Sequence, residues 1–285
     1  VRGLVAGILV VAVVALSGTA ARTLSAGAGA YARASIGAGA WATMLAAWAV
    51  VLSARREVGA ARPSGVLVTA LVPAGVAMLL VGGSLGALGI LREYANQSAR
   101  FWAETGTHVL LSTVSVGVAL AGGVGLGVVA FRVPRLARPV FGLVNLLQTI
   151  PGLAMIGLLV PVLAAVSRAV PALRGIGFGG LGWAPVVISL TAYALLPVVR
   201  NTWSGLAGVP ADTVEAARGM GMSERQVLRR VRLPLAAPVV WTGARVATVQ
   251  TIGNATLGAF AAAGTLGLFV FGGLSQQSTD LVLVG

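Results

Sequence analysis

Long apolar runs recur along this chain, and they most constrain what it can fold into. Seven of them lie at residues 3–21, 36–53, 64–91, 105–131, 139–166, 181–199 and 235–258. A bilayer core of roughly 30 Å needs about 20 consecutive apolar residues per helix, so each run is long enough to span a membrane. An eighth run opens at Leu281, and the chain begins beside an apolar run, so we expect material to be missing at both ends. The pattern predicts an all-α, polytopic integral membrane protein.

The composition supports this fold class and excludes several kinds of chemistry. Hydrophobic residues make up 57% of the chain and charged residues 9%, whereas about a quarter of a soluble domain is charged. Cys is absent and His occurs once, which argues against thiolate or His-rich metal sites. All 20 basic residues are Arg, so the Lys that a P-loop ATPase requires is missing. The sequence therefore predicts neither an enzyme nor a cofactor or metal site on this chain.

The distribution of Arg predicts the orientation in the membrane. If the loop at 54–63 faces the cytoplasm and the spans alternate, 13 Arg lie inside, six lie outside and Arg245 lies within a span. This bias follows the positive-inside rule and explains the net charge of +13 without a nucleic-acid partner. We therefore expect a multi-pass cell-membrane protein, with Glu104 and Asp280 in outer loops where they can meet a binding protein, and with His108 at the outer membrane interface.

Residues 209–234 interrupt the apolar pattern, and we call them the polar segment. A helix is predicted to end at Gly219 and Gly221, because glycine tolerates the left-handed conformation of a C-cap. Ala216 and Ala217 in that helix are expected to leave a smooth surface that another protein can approach.

A second short helix is predicted to begin after Ser223, since Ser followed three residues later by Gln226 matches a capping box. Leu233 and Pro234 are expected to end it and to lead into the last predicted span. The polar segment is thus predicted to form two short helices joined by a glycine turn, on which a soluble partner can push. The alternative is an amphipathic loop lying on the membrane surface.

The residue spacing in the polar segment resembles the cytoplasmic loop of ABC importer permeases, whose pattern is Glu-Ala-Ala, three residues, Gly, nine residues, Ile, one residue, Leu-Pro. The matching residues here are Glu215, Ala216, Ala217, Gly221, Val231, Leu233 and Pro234. Val231 stands where Ile is usual. In that family the loop docks on a separate ATPase subunit, so the resemblance implies an ATPase-coupling role for these residues and for Gly219 and Arg225 between them.

A narrower resemblance is to the osmoprotectant branch of these permeases, which imports glycine betaine, choline, carnitine or proline betaine. It is carried by residues 145–154, 193–202, 215–222 and 253–267. Thr265 stands where Gly is usual, so that loop is expected to be stiffer. The resemblance implies a type I importer permease core at 101–285 with its last span truncated. Residues 1–100 resemble the extra N-terminal transmembrane helices of one subgroup.

Polar side chains within the predicted spans are candidates for lining a substrate path, because such side chains are costly in lipid. They are Asn145, Gln148, Thr149, Tyr193, Gln250, Thr251 and Asn254, with Pro151 expected to kink its helix. The alternative for each polar side chain is a hydrogen bond that joins helices. No aromatic cage for a quaternary ammonium group is evident, which favours selective binding on a separate subunit.

The resemblance implies several partners and leaves rival functions open. The partners are ABC ATPase subunits that carry ATP and Mg, an extracytoplasmic binding protein, and a second permease copy or paralogue. One rival is an ABC permease for methionine or a phosphonate. An ion-coupled secondary carrier is disfavoured because no acidic residue lies within a predicted span. A membrane scaffold that transports nothing would make no use of the polar segment.

Overall fold

The computed structural model describes residues 1–26, 34–58 and 63–285, and along these residues the regular structure is helical, without a strand. The α-helices are α1 (Arg2–Ala26), α2 (Ala38–Val58), α3 (Pro63–Val81), α4 (Gly89–Arg132), α5 (Pro134–Thr149), α6 (Gly152–Ala169), α7 (Trp183–Ala207), α8 (Ala211–Gly219), α9 (Glu224–Val227), α10 (Leu233–Asn254), α11 (Gly267–Ser275) and α12 (Thr279–Val284). Pro171–Ile176 and Ala255–Ala261 form 3₁₀ helices, and Leu228–Arg232 forms a π-helical turn. The all-α fold class is confirmed.

Within residues 1–26, 34–58 and 63–285, six helices are long and apolar enough to cross a membrane, namely α1, α2, α3, α4, α6 and α7. The seventh predicted span corresponds to α10, which has the length but not the same apolarity. Part of the predicted cytoplasmic loop at 54–63 lies outside the described residues.

Two predicted spans have the wrong limits. The run at 64–91 is not one helix, because α3 ends at Val81 and α4 begins at Gly89. Leu85 and Leu88 between them are buried against protein rather than facing lipid. The run at 139–166 is divided at Ile150 and Pro151 into α5 and α6, so the expected kink is a complete break. Apolarity alone does not distinguish a spanning helix from a buried turn or a broken helix.

The chain forms two compact units, Val1–Ser98 with Gly272–Gly285, and Ala99–Phe271. A non-helical residue, Gln97, interrupts α4 where the first unit gives way to the second. In this division residues 272–285 pack with the N-terminal helices.

In the first unit, α1, α2 and α3 pack on one another around an apolar core. Its buried members are Ala6, Val10, Met44, Ala47, Val51 and Val68. Asp280 from α12 is only 3% exposed and accepts a hydrogen bond of 2.5 Å from the Ser35 hydroxyl. A side chain at position 89 would collide with the Asp280 carboxylate, so Gly89 permits this approach. The expectation that Asp280 lies in an accessible outer loop is therefore wrong.

In the second unit, α7 is the central helix, and half of its most apolar stretch is buried. Gly123 and Gly127 lie one turn apart on α4, where a methyl group would meet Val198 at 2.8 Å and Thr202 at 2.6 Å. Small residues thus let α4 and α7 approach closely, as is common between membrane helices. Glu104 lies within α4, with its carboxylate 3.6 Å from Arg100, rather than in the predicted loop.

Candidate functional site

The polar segment folds around a small apolar core of its own. Val209, Val214, Ala217 and Val227 are buried together, with Met222 and Val231 packed against them. Val214 and Ala217 are three residues apart and therefore share one face of α8. Because Val214 and Ala217 of α8 share this core with Val227 of α9, the short helix α8 is held in a defined position against α9.

The turn between α8 and α9 has the predicted left-handed conformation at Gly221 but not at Gly219. Gly221 has a φ of +82°, and its N–H donates to the Arg218 carbonyl at 2.8 Å. Gly219 is instead the last helical residue, so only Gly221 needs the left-handed conformation. The Arg218 Nε donates to the Glu224 carboxylate at 2.7 Å and so links the two sides of the turn.

This ion pair affects the protonation of both groups. The hydrogen bond from Arg218 holds the pKa of the exposed Glu224 carboxyl below its usual range, and the bond to Glu224 raises the pKa of Arg218. Both groups are therefore charged at neutral pH.

The predicted capping box at Ser223 is confirmed, but the predicted end of the second helix is wrong. The Ser223 N–H donates to the Gln226 side chain at 2.8 Å, and the Gln226 N–H donates to the Ser223 hydroxyl at 3.4 Å. The helix does not stop at Leu233 and Pro234. It widens into the π-helical turn, where the Leu233 N–H donates to the Leu228 carbonyl, and runs on as α10. Pro234 lacks an N–H and so adds no donor to the helix where the π-helical turn passes into α10, but the backbone on both sides of it stays helical.

The residues that resemble the ATPase-coupling loop divide by exposure. Glu215, Ala216, Gly219, Gly221, Arg225 and Pro234 are exposed, and Val231 and Leu233 are half-buried. Ala217 is 2% exposed and belongs to the small core, so the expectation that it joins Ala216 on a smooth outer surface is wrong. Met220, at 72% exposure, lies beside the turn and was missed by the sequence analysis. The exposed face of the polar segment thus combines Glu215 and Ala216 with a large apolar side chain.

Gln148 and Tyr193, both candidates for the substrate path, join the break between α5 and α6 to α7. The Gln148 amide donates to the Tyr193 carbonyl at 2.7 Å. That carbonyl has no helical donor four residues later, because Pro197 lacks an N–H. The Tyr193 hydroxyl in turn donates to the carbonyl of Ile150 at the break. We call this pair of bonds the clasp.

The remaining path candidates are scattered. Asn145 is exposed, and the Thr149 hydroxyl is bonded to its own helix at Leu146. On α10, Gln250 is exposed and Asn254 is half-buried. Thr251 is 1% exposed, and its hydroxyl has no hydrogen-bond partner among the described residues.

No hydrogen bond within the described ranges links these α10 residues to the clasp. The candidates on α10 nevertheless lie near a buried polar residue, His108, which was expected at the membrane interface. His108 is 5% exposed, with Nε2 3.0 Å from the Ile252 carbonyl near the end of α10. The side chains of His108 and Ser112 line a cavity of about 250 Å³ beside Thr248. The sequence spacing could not reveal this contact, because His108 and Ile252 are 144 residues apart.

The described residues contain no group of three or more His, Asp or Glu that could hold a metal.

Known proteins resemble both parts of this architecture. Residues 117–285 match the family described as binding-protein-dependent transport system inner membrane component, and residues 1–91 match the N-terminal domain of the ABC transporter permease YehY. A solved chain of the MetNI methionine ABC transporter, in an inward-facing conformation, aligns with a TM-score of 0.56 and 22% identity. The alignment covers 66% of this chain and 88% of that one, and it shows a shared type I importer permease fold.

Several curated relatives are similar over most of their own length. The carnitine transport permease OpuCB of Listeria monocytogenes is 36% identical over 64% of this chain and 76% of its own. The choline transport system permease OpuBB of Bacillus subtilis is 35% identical over the same shares. The osmoprotectant import permease OsmW of Salmonella typhimurium is 38% identical over 62% of this chain and 78% of its own. This chain belongs to the binding-protein-dependent transport system inner membrane component family, as a multi-pass permease subunit of an ABC importer.

Proposed function

We propose that this chain is the membrane-spanning subunit of an ATP-driven importer of osmoprotectants such as glycine betaine or choline. The observation that carries the proposal is the polar segment, whose exposed Glu215 and Ala216 are held on a short helix with its own core. The relatives named for carnitine, choline and osmoprotectants support the substrate class.

The polar segment is the docking site for a separate ATPase on the cytoplasmic side. ATP and Mg belong to that partner, and ATP is hydrolysed there rather than on this chain. A binding protein outside the cell delivers the substrate, and a second permease copy or paralogue completes the path.

The helix connections explain how motion at the polar segment can reach the membrane. From Glu224 the helix continues through the π-helical turn into α10, so a displacement of α9 also moves α10. α10 packs along α7, and α7 holds the break between α5 and α6 through the clasp. Closing and reopening of the ATPase would therefore favour different arrangements of these helices, which is the requirement for alternating access.

Uptake by the reconstituted complex tests this proposal. Liposomes containing the chain, its ATPase and its binding protein should accumulate labelled choline, glycine betaine or carnitine only when ATP is supplied. ATP-driven uptake of methionine but of none of these compounds would favour the rival permease function. Uptake that follows a proton gradient without ATP would establish an ion-coupled carrier instead.

A matched pair of variants tests the docking surface. Ala216→Trp places a bulky side chain on the exposed face and should lower ATP-driven uptake about tenfold, the effect of losing about 1.4 kcal/mol of docking energy. Ala211→Trp, also exposed but at the start of α8, should leave uptake nearly unchanged. Equal uptake by the two variants would remove Ala216 from the docking surface.

A further inference from the structure

A cavity rich in arginine lies between the end of α4 and the polar segment. Its volume is about 360 Å³. It is lined by Phe131, Arg132, Arg218, Glu224, Val227, Leu228 and Arg232. We call it the arginine cavity. Its size falls within the range of small-molecule sites, which is about 300–1,000 Å³.

Two of its three guanidinium groups are held in place by the protein. The Arg232 Nη1 donates to the Leu206 carbonyl at 2.9 Å, and the same guanidinium lies 4.9 Å from the centre of the Phe131 ring. Arg218 is held through Nε by Glu224. Each group has further N–H donors, and their fixed positions reduce the entropy lost when a ligand binds.

The third guanidinium, of Arg132, is attracted by the Glu224 carboxylate but is not held by a hydrogen bond. Arg132 is exposed and makes no hydrogen bond or ion pair with the residues that the structure describes. Glu224 is the single carboxylate in the lining, so three guanidinium groups leave a formal charge of +2. Because like charges repel, an anion in the arginine cavity would relieve this excess.

We propose that the arginine cavity binds an anion bearing a phosphate group. The planar guanidinium offers paired N–H donors that match phosphate oxygens, and several arginines converging on one cavity favour this chemistry over a carboxylate alone. The bound anion joins Arg132 at the end of α4 to Arg218 and Arg232 of the polar segment. This site is separate from the substrate path and does not depend on the proposed transport function.

A titration of the purified full chain in a neutral detergent tests the site. Sodium phosphate, exchanged against sodium chloride at constant ionic strength, should raise the thermal unfolding midpoint in a saturable manner. Arg132→Gln should need about tenfold more phosphate for the same rise, the effect of losing one charged hydrogen-bonding group. Arg135→Gln removes an equal charge from an exposed position outside the cavity lining and should behave as the wild type.

The same variants in nanodiscs identify the source of the phosphate group. If it belongs to a lipid, adding phosphatidylglycerol to phosphatidylcholine discs should raise the midpoint of the wild type and Arg135→Gln but not of Arg132→Gln. If it belongs to a soluble anion, free phosphate should produce this difference in discs of either composition. The proposal would be overturned if the unfolding midpoints of all three proteins changed equally with phosphate and with phosphatidylglycerol, or if neither changed any midpoint.

Discussion

The polar segment and the break between α5 and α6 both interrupt a helix, but different kinds of contact hold them. In the polar segment the capping box at Ser223 and the Arg218–Glu224 pair join residues only three and six positions apart. At the break the hydrogen bonds join residues 43 and 45 positions apart, through Tyr193 and Gln148. One interruption is therefore specified mainly by nearby residues, whereas the other depends on the packing of α7.

The largest effect should come from the core of the polar segment. Val227 is 1% exposed, and Val227→Asp would bury a carboxylate without a partner at a cost of about 3 kcal/mol or more. Limited proteolysis should then cut the polar segment while the membrane helices stay intact. Met220→Asp introduces the same charge at an exposed position and should leave the segment resistant. Equal protease resistance of the two variants would mean that this core does not hold the segment.

A matched glycine pair tests the turn. Gly219 and Gly221 have open space where a methyl group would be added, so they differ mainly in backbone conformation. Gly221→Ala should destabilise the protein by about 1–2 kcal/mol, because its φ is positive. Gly219→Ala should stabilise the end of α8 by about 0.5–1 kcal/mol, because alanine favours the helix. Thermal unfolding measures both, and shifts in the same direction would contradict this division of roles.

A double-mutant cycle tests the break. Gln148→Ala should cost about 1 kcal/mol, since it leaves the Tyr193 carbonyl without its donor. Pro197→Ala restores an N–H four residues after Tyr193, which can satisfy that carbonyl within α7. Gln148→Ala should therefore cost markedly less in the Pro197→Ala background. Additive costs would show that Gln148 acts in some other way, for example by contacting substrate.

The smallest effect should come from the exposed ion pair. Because Arg218 lowers the pKa of Glu224 in the folded protein, the pair contributes stability above the carboxyl's unfolded pKa, and this contribution disappears as pH falls through the folded value. A slight drop in the unfolding midpoint on acidification should be reduced in Glu224→Gln and in 1 M salt, which screens exposed charges. A drop of equal size in Glu224→Gln would assign the pH dependence to other groups.

Local patterns made much of the fold and of the polar segment predictable. The apolar runs predicted membrane helices, and the Ser223–Gln226 spacing and Gly221 predicted the capping box and turn. The burial of Ala217 could not be read in the same way, because it depends on where Val209 and Val227 fold back. The burial of Asp280 and His108 could not be predicted either, because their hydrogen-bond partners are distant in sequence. The Pro234 prediction was wrong because the helix carries a π-helical turn directly before the proline and runs on as α10, and no local pattern predicted that turn.

Accessibility of Ala216 from the two sides of the membrane decides whether the polar segment docks an ATPase in the cytoplasm. The chain has no Cys, so Ala216→Cys gives a single site for a membrane-impermeant maleimide, and Gly175→Cys provides an exposed control in a predicted outer loop. The account predicts that Ala216→Cys reacts only in inside-out vesicles and is protected by the ATPase, while Gly175→Cys reacts only in right-side-out vesicles. Reaction of Ala216→Cys from the outer side alone, or from neither side, would contradict a cytoplasmic docking role for the polar segment.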